Sequence, residues 1–305
     1  MNPLLKGVQA NDAEAKDLVT FIIKTLHDEL NEKQNQNNTN NNIQGNQNNK
    51  KLMLKNFMDA FRNENYSILM NLFYGVDYYM DKCSNCLLCK YNFHVDFFLY
   101  FPLEEIRKYK LEELQKQNMM MEPMNMMIKS FGQNKMNSIQ MNQQEFQNNL
   151  IKINLLKNNS VDIFDCFDYD QRMVNFTGEN IIYCDTCKNS FPTEYQSKIY
   201  YGPKILILAL NRGWGKKYKV KLQFSLELDL TNYIENKTSG CIYDLIGVVT
   251  HMGEGGSGHF IASCKSPVDN NWYQYNDDLV YPINNFKEEI LDVAMPYILF
   301  YKKKK

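Results

Sequence analysis

Near the start of the chain, apolar residues return every three or four positions. Leu18, Phe21, Ile22, Leu26 and Leu30 fall on one side of a helical wheel, which predicts an amphipathic helix over 17–30. Residues 51–72 hold no clean period and read as loop and strand. The stretch 93–103 is aromatic and β-rich. Residues 204–210, KILILAL, form a continuous apolar run of strand length. Over 217–230 the pattern alternates, with Val220, Leu222, Phe224, Leu226, Leu228 and Leu230 on one face. Short strands are expected at 243–250, 259–265, 272–275 and 297–301, joined by Gly, Asn and Pro turns. A helix ahead of an antiparallel sheet makes the class α+β.

Two segments break this patterning. Residues 31–50 hold 14 Asn or Gln in 20 positions and offer little to bury, so they read as a disordered insert. Residues 115–149 hold eight of the sixteen Met among many Asn and Gln and read as a second low-complexity insert. The chain of 305 residues is long enough for one large domain, and 1–305 is read as one interrupted domain. A formal net charge of −1 supplies no field toward nucleic acid or membrane, and the 302–305 lysine tail reads as a solvated end. Without a run of about 18 apolar residues no transmembrane helix is expected, and the first residues hold no secretory core. Eight cysteines in such a chain suggest a reducing compartment, with thiols or metal ligands rather than disulfides.

Four of those cysteines are paired by spacing. Cys83-Ser-Asn-Cys86 and Cys184-Asp-Thr-Cys187 each let two sulfurs point at one ion from a tight knuckle. The second follows Ile181, Ile182 and Tyr183, the end of a strand, as a zinc ribbon requires. One structural zinc on four thiolates is the reading; two separate redox-active pairs are the alternative. Cys89 is a further candidate ligand, His94 sits in an aromatic stretch, and Cys166, Cys241 and Cys264 read as small core residues.

A second constellation involves histidine. Between His251 and His259 stand four glycines in the six residues 253–258, a loop with wide backbone freedom. His259 opens the next strand, and Trp272-Tyr-Gln-Tyr-Asn276-Asp277-Asp278 ends a later one. Antiparallel pairing would set an amide or carboxylate against the imidazole, the base and orienter of a Cys-His-Asn/Asp triad. A glycine turn beside a hydrogen-bonded structural His is the alternative.

In this order the blocks resemble the ubiquitin-specific proteases, the papain-like deubiquitinase family also called ubiquitin carboxyl-terminal hydrolases. Residues 13–30 look like the family's QDAxEFLxxLLxxLHxEL helix and depart from it at the Gln positions, where Asp12 and Ala13 stand. Phe73-Tyr-Gly75 followed by Cys83xxCys86 looks like the start of the fingers. Residues 161–167, 180–188, 203–212, 243–260, 272–277 and 296–301 look like successive family blocks, the histidine box being the most specific. The resemblance implies a papain-like fold with palm and zinc-ribbon fingers, most of the helical thumb missing. It implies His259 as general base, Asn276 as its orienter with Asp277 able to share that role, and zinc on Cys83, Cys86, Cys184 and Cys187. His251 matches the non-catalytic first His of the box, and 253–258 a blocking loop. The implied reaction is thiol-dependent cleavage of isopeptide bonds at the C-terminal glycine of ubiquitin. The implied partners are ubiquitin or ubiquitinated proteins in cytoplasm or nucleus.

The family's nucleophile sits in a GLxNxGNTCYxNS-like box, and no GNTC-like string occurs here. The nucleophilic Cys is therefore expected to be absent from this chain, with its oxyanion donors. A non-catalytic ubiquitin-binding scaffold is the second functional reading, and a plain zinc-ribbon interaction module the third.

Overall fold

The computed structural model describes residues 15–32, 50–130, 136–212, 219–252, 259–292 and 295–304. Most of the Asn-rich insert and the whole glycine loop 253–258 lie outside them.

Three helices come first: α1 (Ala15–Glu29), α2 (Lys50–Glu64) and α3 (Ile68–Phe73). Strands β1 (Gly75–Cys83), β2 (Cys89–Asp96) and β3 (Leu99–Pro102) lead into two long helices, α4 (Leu103–Ser130) and α5 (Met136–Lys157). After β4 (Ser160–Asp162) and α6 (Ile163–Asp170) the chain is almost entirely strand. The strands are β5 (Met173–Phe176), β6 (Ile182–Cys184), β7 (Asn189–Phe191), β8 (Thr193–Tyr201), β9 (Ile205–Asn211), β10 (Lys221–Gln223) and β11 (Glu227–Asp229). The last are β12 (Ile242–Met252), β13 (His259–Lys265), β14 (Trp272–Asn276), β15 (Leu279–Ile283) and β16 (Pro296–Lys303).

Two sheets carry the architecture. The larger runs β15-β14-β13-β12-β16-β9-β3, with β11 added beside β12. It is antiparallel except where β3 joins β9. The smaller runs β2-β1-β8-β5 and projects as a finger, and the β6–β7 hairpin faces its tip. The run 205–211 is apolar throughout because β9 is buried on both faces. Leu206, Leu208 and Leu210 join the main core with Phe101, Phe167 and Tyr243, while Ile207 joins Ile23 and Ile298 beneath α1. Each such side chain contributes about 1.5–3 kcal/mol on burial.

Two expectations change. Residues 51–72 are helical: Leu54 and Met58, four apart, bury one side of α2 against Val76, and Ser67 caps α3 by accepting from Met70 N. In the expected strand 217–230, the described residues 219–230 hold two three-residue strands with a break over 224–226, although Val220, Leu222, Leu228 and Leu230 are buried. The second insert has helical backbone over 115–130 and 136–149, in keeping with its Met, Gln, Glu and Lys content. The last turns of α5 are docked by a capping box at α6: Asp162 and Asp165 hold each other's backbone, and Lys152 Nζ meets Asp165 at 2.6 Å.

In α1 the buried residues are Ile23 and His27. Leu18, Ile22 and Leu26, the stripe that predicted the helix, face outward among the described residues. His27 ties α1 to α3: Nδ1 meets Ser67 Oγ at 2.6 Å and Nε2 meets Asn65 Oδ1 at 3.2 Å. The Asn65 oxygen only accepts, so Nε2 carries the proton and Nδ1 accepts from Ser67.

Candidate functional site

The tip of the finger is built from two knuckles. β1 ends at Cys83 and turns through Leu87, whose φ is 60°; β6 ends at Cys184 and turns through Lys188, at 55°. Each turn folds its CxxC back on itself. The sulfurs of Cys83, Cys86, Cys184 and Cys187 all lie within 4.8 Å of one another, with Cys83–Cys187 at 4.0 Å and Cys86–Cys184 at 3.7 Å. Tetrahedral thiolates about 2.3 Å from one ion sit about 3.8 Å apart, so the donor set fits zinc. Backbone N–H groups of Cys187 and Thr186 bring the Cys184 thiol down to about 7, toward the thiolate a metal needs. Bound there, zinc would supply a cross-link between β1 and β6–β7. Cys89 lies outside the cluster, on β2, and His94 packs edge-on against Tyr79 at 4.7 Å.

The histidine site lies at one end of the large sheet. Register sets Met252 opposite His259 across the glycine loop, and Ala262 opposite Tyr275 in the next pair. β14 therefore ends at Asn276 beside the start of β13. His259 Nε2 is 2.6 Å from Asn276 Oδ1 and 3.6 Å from Asp277 Oδ2. Asn276 thus makes the hydrogen bond and Asp277 stands at ion-pair range. Asp277 occupies the hairpin turn into β15 with φ 53°, a left-handed conformation that Asp tolerates. Nε2–H donates to the amide oxygen, which leaves Nδ1 of the neutral ring as its base nitrogen. The His259 side chain is 44% exposed, open to a reacting group.

The surroundings are aromatic. His251 packs against Phe260 at 4.8 Å and Tyr297 at 5.5 Å, and burial, then repulsion from His259, lowers its pKa. It stays neutral more readily than a free histidine. Arg212 is buried at the end of β9 and donates to Pro296 O at 2.6 Å and to Val220 O, fixing the start of β16 beside this cluster. Cys264 lies five residues along β13 from His259, on the opposite face by strand alternation. Cys166 and Cys241 are buried in the main core.

Two groups escaped the sequence reading. At the root of the finger Asp77, Asp96 and Asp170 approach one another, and burial raises Asp170 to about 6, against the pull of Arg172 and with repulsion from Asp96. On the other face of the finger sheet Lys50 is surrounded by tyrosines. Neither has a local signal, because the residues come from segments far apart in the chain.

A family model described as ubiquitin carboxyl-terminal hydrolase matches residues 1–301. The chain is 30% identical over 145 residues to Ubiquitin carboxyl-terminal hydrolase Usp2 of Drosophila melanogaster, 45% of this chain and 15% of that protein. It is 30% identical over 148 residues to Ubiquitin carboxyl-terminal hydrolase 21 of Homo sapiens, 47% of this chain and 25% of that protein. It therefore spans a quarter or less of these curated relatives. Among solved structures, a chain of the SAGA Ubp8/Sgf11/Sus1/Sgf73 DUB module superposes with a TM-score of 0.59 at 20% identity, covering 99% of this chain and 52% of that one. The same module bound to monoubiquitin gives 0.53 at 19% identity, over 84% of this chain and 47% of that one. At such identity the structural likeness shows the fold, which is papain-like, of the ubiquitin-specific protease type, with zinc-ribbon fingers.

Proposed function

Since the chain belongs to the ubiquitin carboxyl-terminal hydrolase family, we propose that it is a deubiquitinase domain carrying the ubiquitin-binding surface and the base half of the hydrolytic machinery. The observation that carries this is the 2.6 Å contact from His259 Nε2 to Asn276 Oδ1. An orienter on Nε2 holds the tautomer whose Nδ1 takes a proton from a thiol. A thiolate so formed attacks the isopeptide carbonyl after the C-terminal glycine of ubiquitin, and the imidazolium returns the proton to the leaving lysine amine. Asp277 stands 3.6 Å from the same ring nitrogen, at ion-pair range.

This reading leaves the nucleophile outside the eight cysteines of the chain. Four suit zinc, Cys166 and Cys241 are buried in the core, and Cys89 and Cys264 lie away from the His259 ring. The chain alone then binds ubiquitin without turnover, which is also how a non-catalytic ubiquitin-binding scaffold behaves. Ubiquitin and ubiquitinated proteins are the partners, and the reduced cysteines suit cytoplasm or nucleus. No helix among the described residues is long and apolar enough to cross a membrane.

The test is a pair of measurements on the purified chain. Calorimetry should detect saturable ubiquitin binding, and a fluorogenic ubiquitin C-terminal reporter should show no turnover. Absence of ubiquitin binding would overturn the domain assignment. Turnover abolished by mutating one of the eight cysteines would overturn the placement of the nucleophile.

A further inference from the structure

The finger sheet has two faces. One carries Asp77, Tyr79 and Asp96 by strand alternation; the other carries Val76, Phe93 and Tyr200 and is covered by α2. Where α2 begins, Lys50 Nζ stands 3.8 Å from the ring centroid of Tyr78, 5.6 Å from Tyr91 and 5.9 Å from Tyr200. The same nitrogen donates to both carboxylate oxygens of Glu235, at 2.7 and 2.6 Å. Tyr78 Oη donates to Glu235 Oε2 at 2.6 Å. Glu235 is held in turn by its backbone, N–H to Ile199 O at 3.0 Å, while the Asn236 N–H meets Tyr200 O at 2.8 Å. Three aromatic rings and one anchored carboxylate around an ammonium make a cation receptor.

The receptor and its occupant come from different elements. β1, β2, β8 and the loop after β11 supply all four groups, and α2 supplies none. Burial acts to raise Glu235, and its bonds to Lys50 and Tyr78 outweigh that and hold it below the usual carboxylate range. The anion is thus committed to a cation. The occupant is poorly placed by helix electrostatics. Lys50 and Lys51 stand in the first turn of α2, which holds no acidic residue, at the positive end of the helix dipole. The contacts that hold Lys50 in the receptor therefore oppose a local preference to leave.

The bonding pattern also selects the ligand. Both Glu235 oxygens are met by one nitrogen, so the ligand needs at least two N–H donors. A primary ammonium has them and a quaternary ammonium has none. We propose that Tyr78, Tyr91, Tyr200 and Glu235 form a binding site for a primary alkylammonium group, the head of a lysine side chain, which the chain closes with its own Lys50 and opens to a lysine of a partner protein when the first turn of α2 unwinds. The site is separate from the His259–Asn276 pair, so it stands or falls apart from the function proposed above.

The test uses the full chain with n-butylammonium as the probe, binding followed through the tyrosine ring signals in NMR. Lys50→Ala should bind it saturably and about tenfold more tightly than the unmodified chain. Tetramethylammonium should bind Lys50→Ala about fivefold more weakly than n-butylammonium, and adding Glu235→Gln should lower n-butylammonium binding about tenfold. A tripeptide of lysine between two glycines should compete with n-butylammonium. Lys50→Met, which keeps the apolar stem over Tyr78, serves if Lys50→Ala does not fold. No saturable binding to the opened site overturns the proposal. So does equal affinity of the opened and unmodified chains, equal affinity for the two ammonium ions, no effect of Glu235→Gln, or no competition by the peptide.

Discussion

Two histidines of this protein each lie against an asparagine, and they differ in what the rest of the ring does. His27, between α1 and α3, is 6% exposed and has Ser67 on one nitrogen and Asn65 on the other. By connectivity it is a finished Ser-His-Asn triad. Yet Ser67 Oγ already accepts from Met70 N as the cap of α3, and both His27 and Ser67 are buried. His259 has Asn276 on Nε2 and a half-exposed ring. Burial marks the structural histidine, because a ring and a hydroxyl closed off from solvent cannot exchange a proton with a substrate. A reachable ring is what general-base chemistry requires.

That contrast predicts which groups are costly to remove. The extreme of commitment is the cysteine cluster. Cys184→Ser should lower bound zinc from one ion per chain to none and open the β6–β7 hairpin to protease, since structural zinc contributes on the order of 10 kcal/mol in small domains. Metal analysis and limited proteolysis read this. Retention of the ion, or full protection without it, would show that the cluster is not the staple of the finger. His27→Ala comes next. It leaves a cavity and strands Ser67 and Asn65, so chemical denaturation should show a loss of about 3 kcal/mol. A loss below about 1 kcal/mol would break the comparison at its structural end.

Asp170, near the root of the finger, tests a different kind of commitment. Burial raises its folded-state pKa to about 6, above the ordinary 3.8, so the folded protein holds this proton more firmly than the unfolded chain. Its contribution to stability is therefore greatest below about pH 4 and falls as the pH rises through 6. Asp170→Asn should raise stability by about 2 kcal/mol at pH 8 and change little at pH 4, a difference that melting curves across pH resolve. The opposite ordering would mean that Arg172 prevails over burial at this carboxyl.

The smallest effects on stability should be at the open site. His259→Ala and Asn276→Ala should each cost about 1 kcal/mol or less, because the ring is half-exposed and, among the described residues, its short bond is to Asn276. Asn276→Ala should still be visible in the ring itself. Nitrogen NMR of His259 should move from the Nε2–H tautomer toward a mixture, whereas Asp277→Asn should leave the tautomer unchanged. A stability loss at His259 as large as at His27 would remove the distinction between the two.

The cysteine cluster was legible in the sequence because its geometry is mostly local: two residues between thiols force a knuckle wherever the chain puts them. The strands at 205–211, 242–252 and 259–265 were legible for a similar reason, since alternation or a continuous apolar run follows from one or two buried faces. Helix α2 was misread because its apolar positions, Leu54, Phe57, Met58 and Phe61, are diluted by Lys, Asn and Asp, and its burial against β1 and β2 decides the conformation. In α1 the period predicted the helix, and the structure decided which side is buried. The stripe with the cleanest period, Leu18, Ile22 and Leu26, faces outward among the described residues, and Ile23 and His27 face the sheet. Periodicity shows that a helix has an apolar side; it does not say which neighbour takes it.

By itself, then, the sequence determined the residue types, the ligand spacing and the faces of most strands, all of which are read within a few positions of the chain. The tertiary structure alone decided that Asn276 rather than Asp277 meets His259, because that choice depends on where β14 stops relative to β13 and on the left-handed turn at Asp277. It alone brought Asp77, Asp96 and Asp170 near one another, and set Lys50 among Tyr78, Tyr91, Tyr200 and Glu235. Those groups come from segments far apart in the chain. Their energies are non-local electrostatic and aromatic contacts, which exist only once the strands have chosen their register.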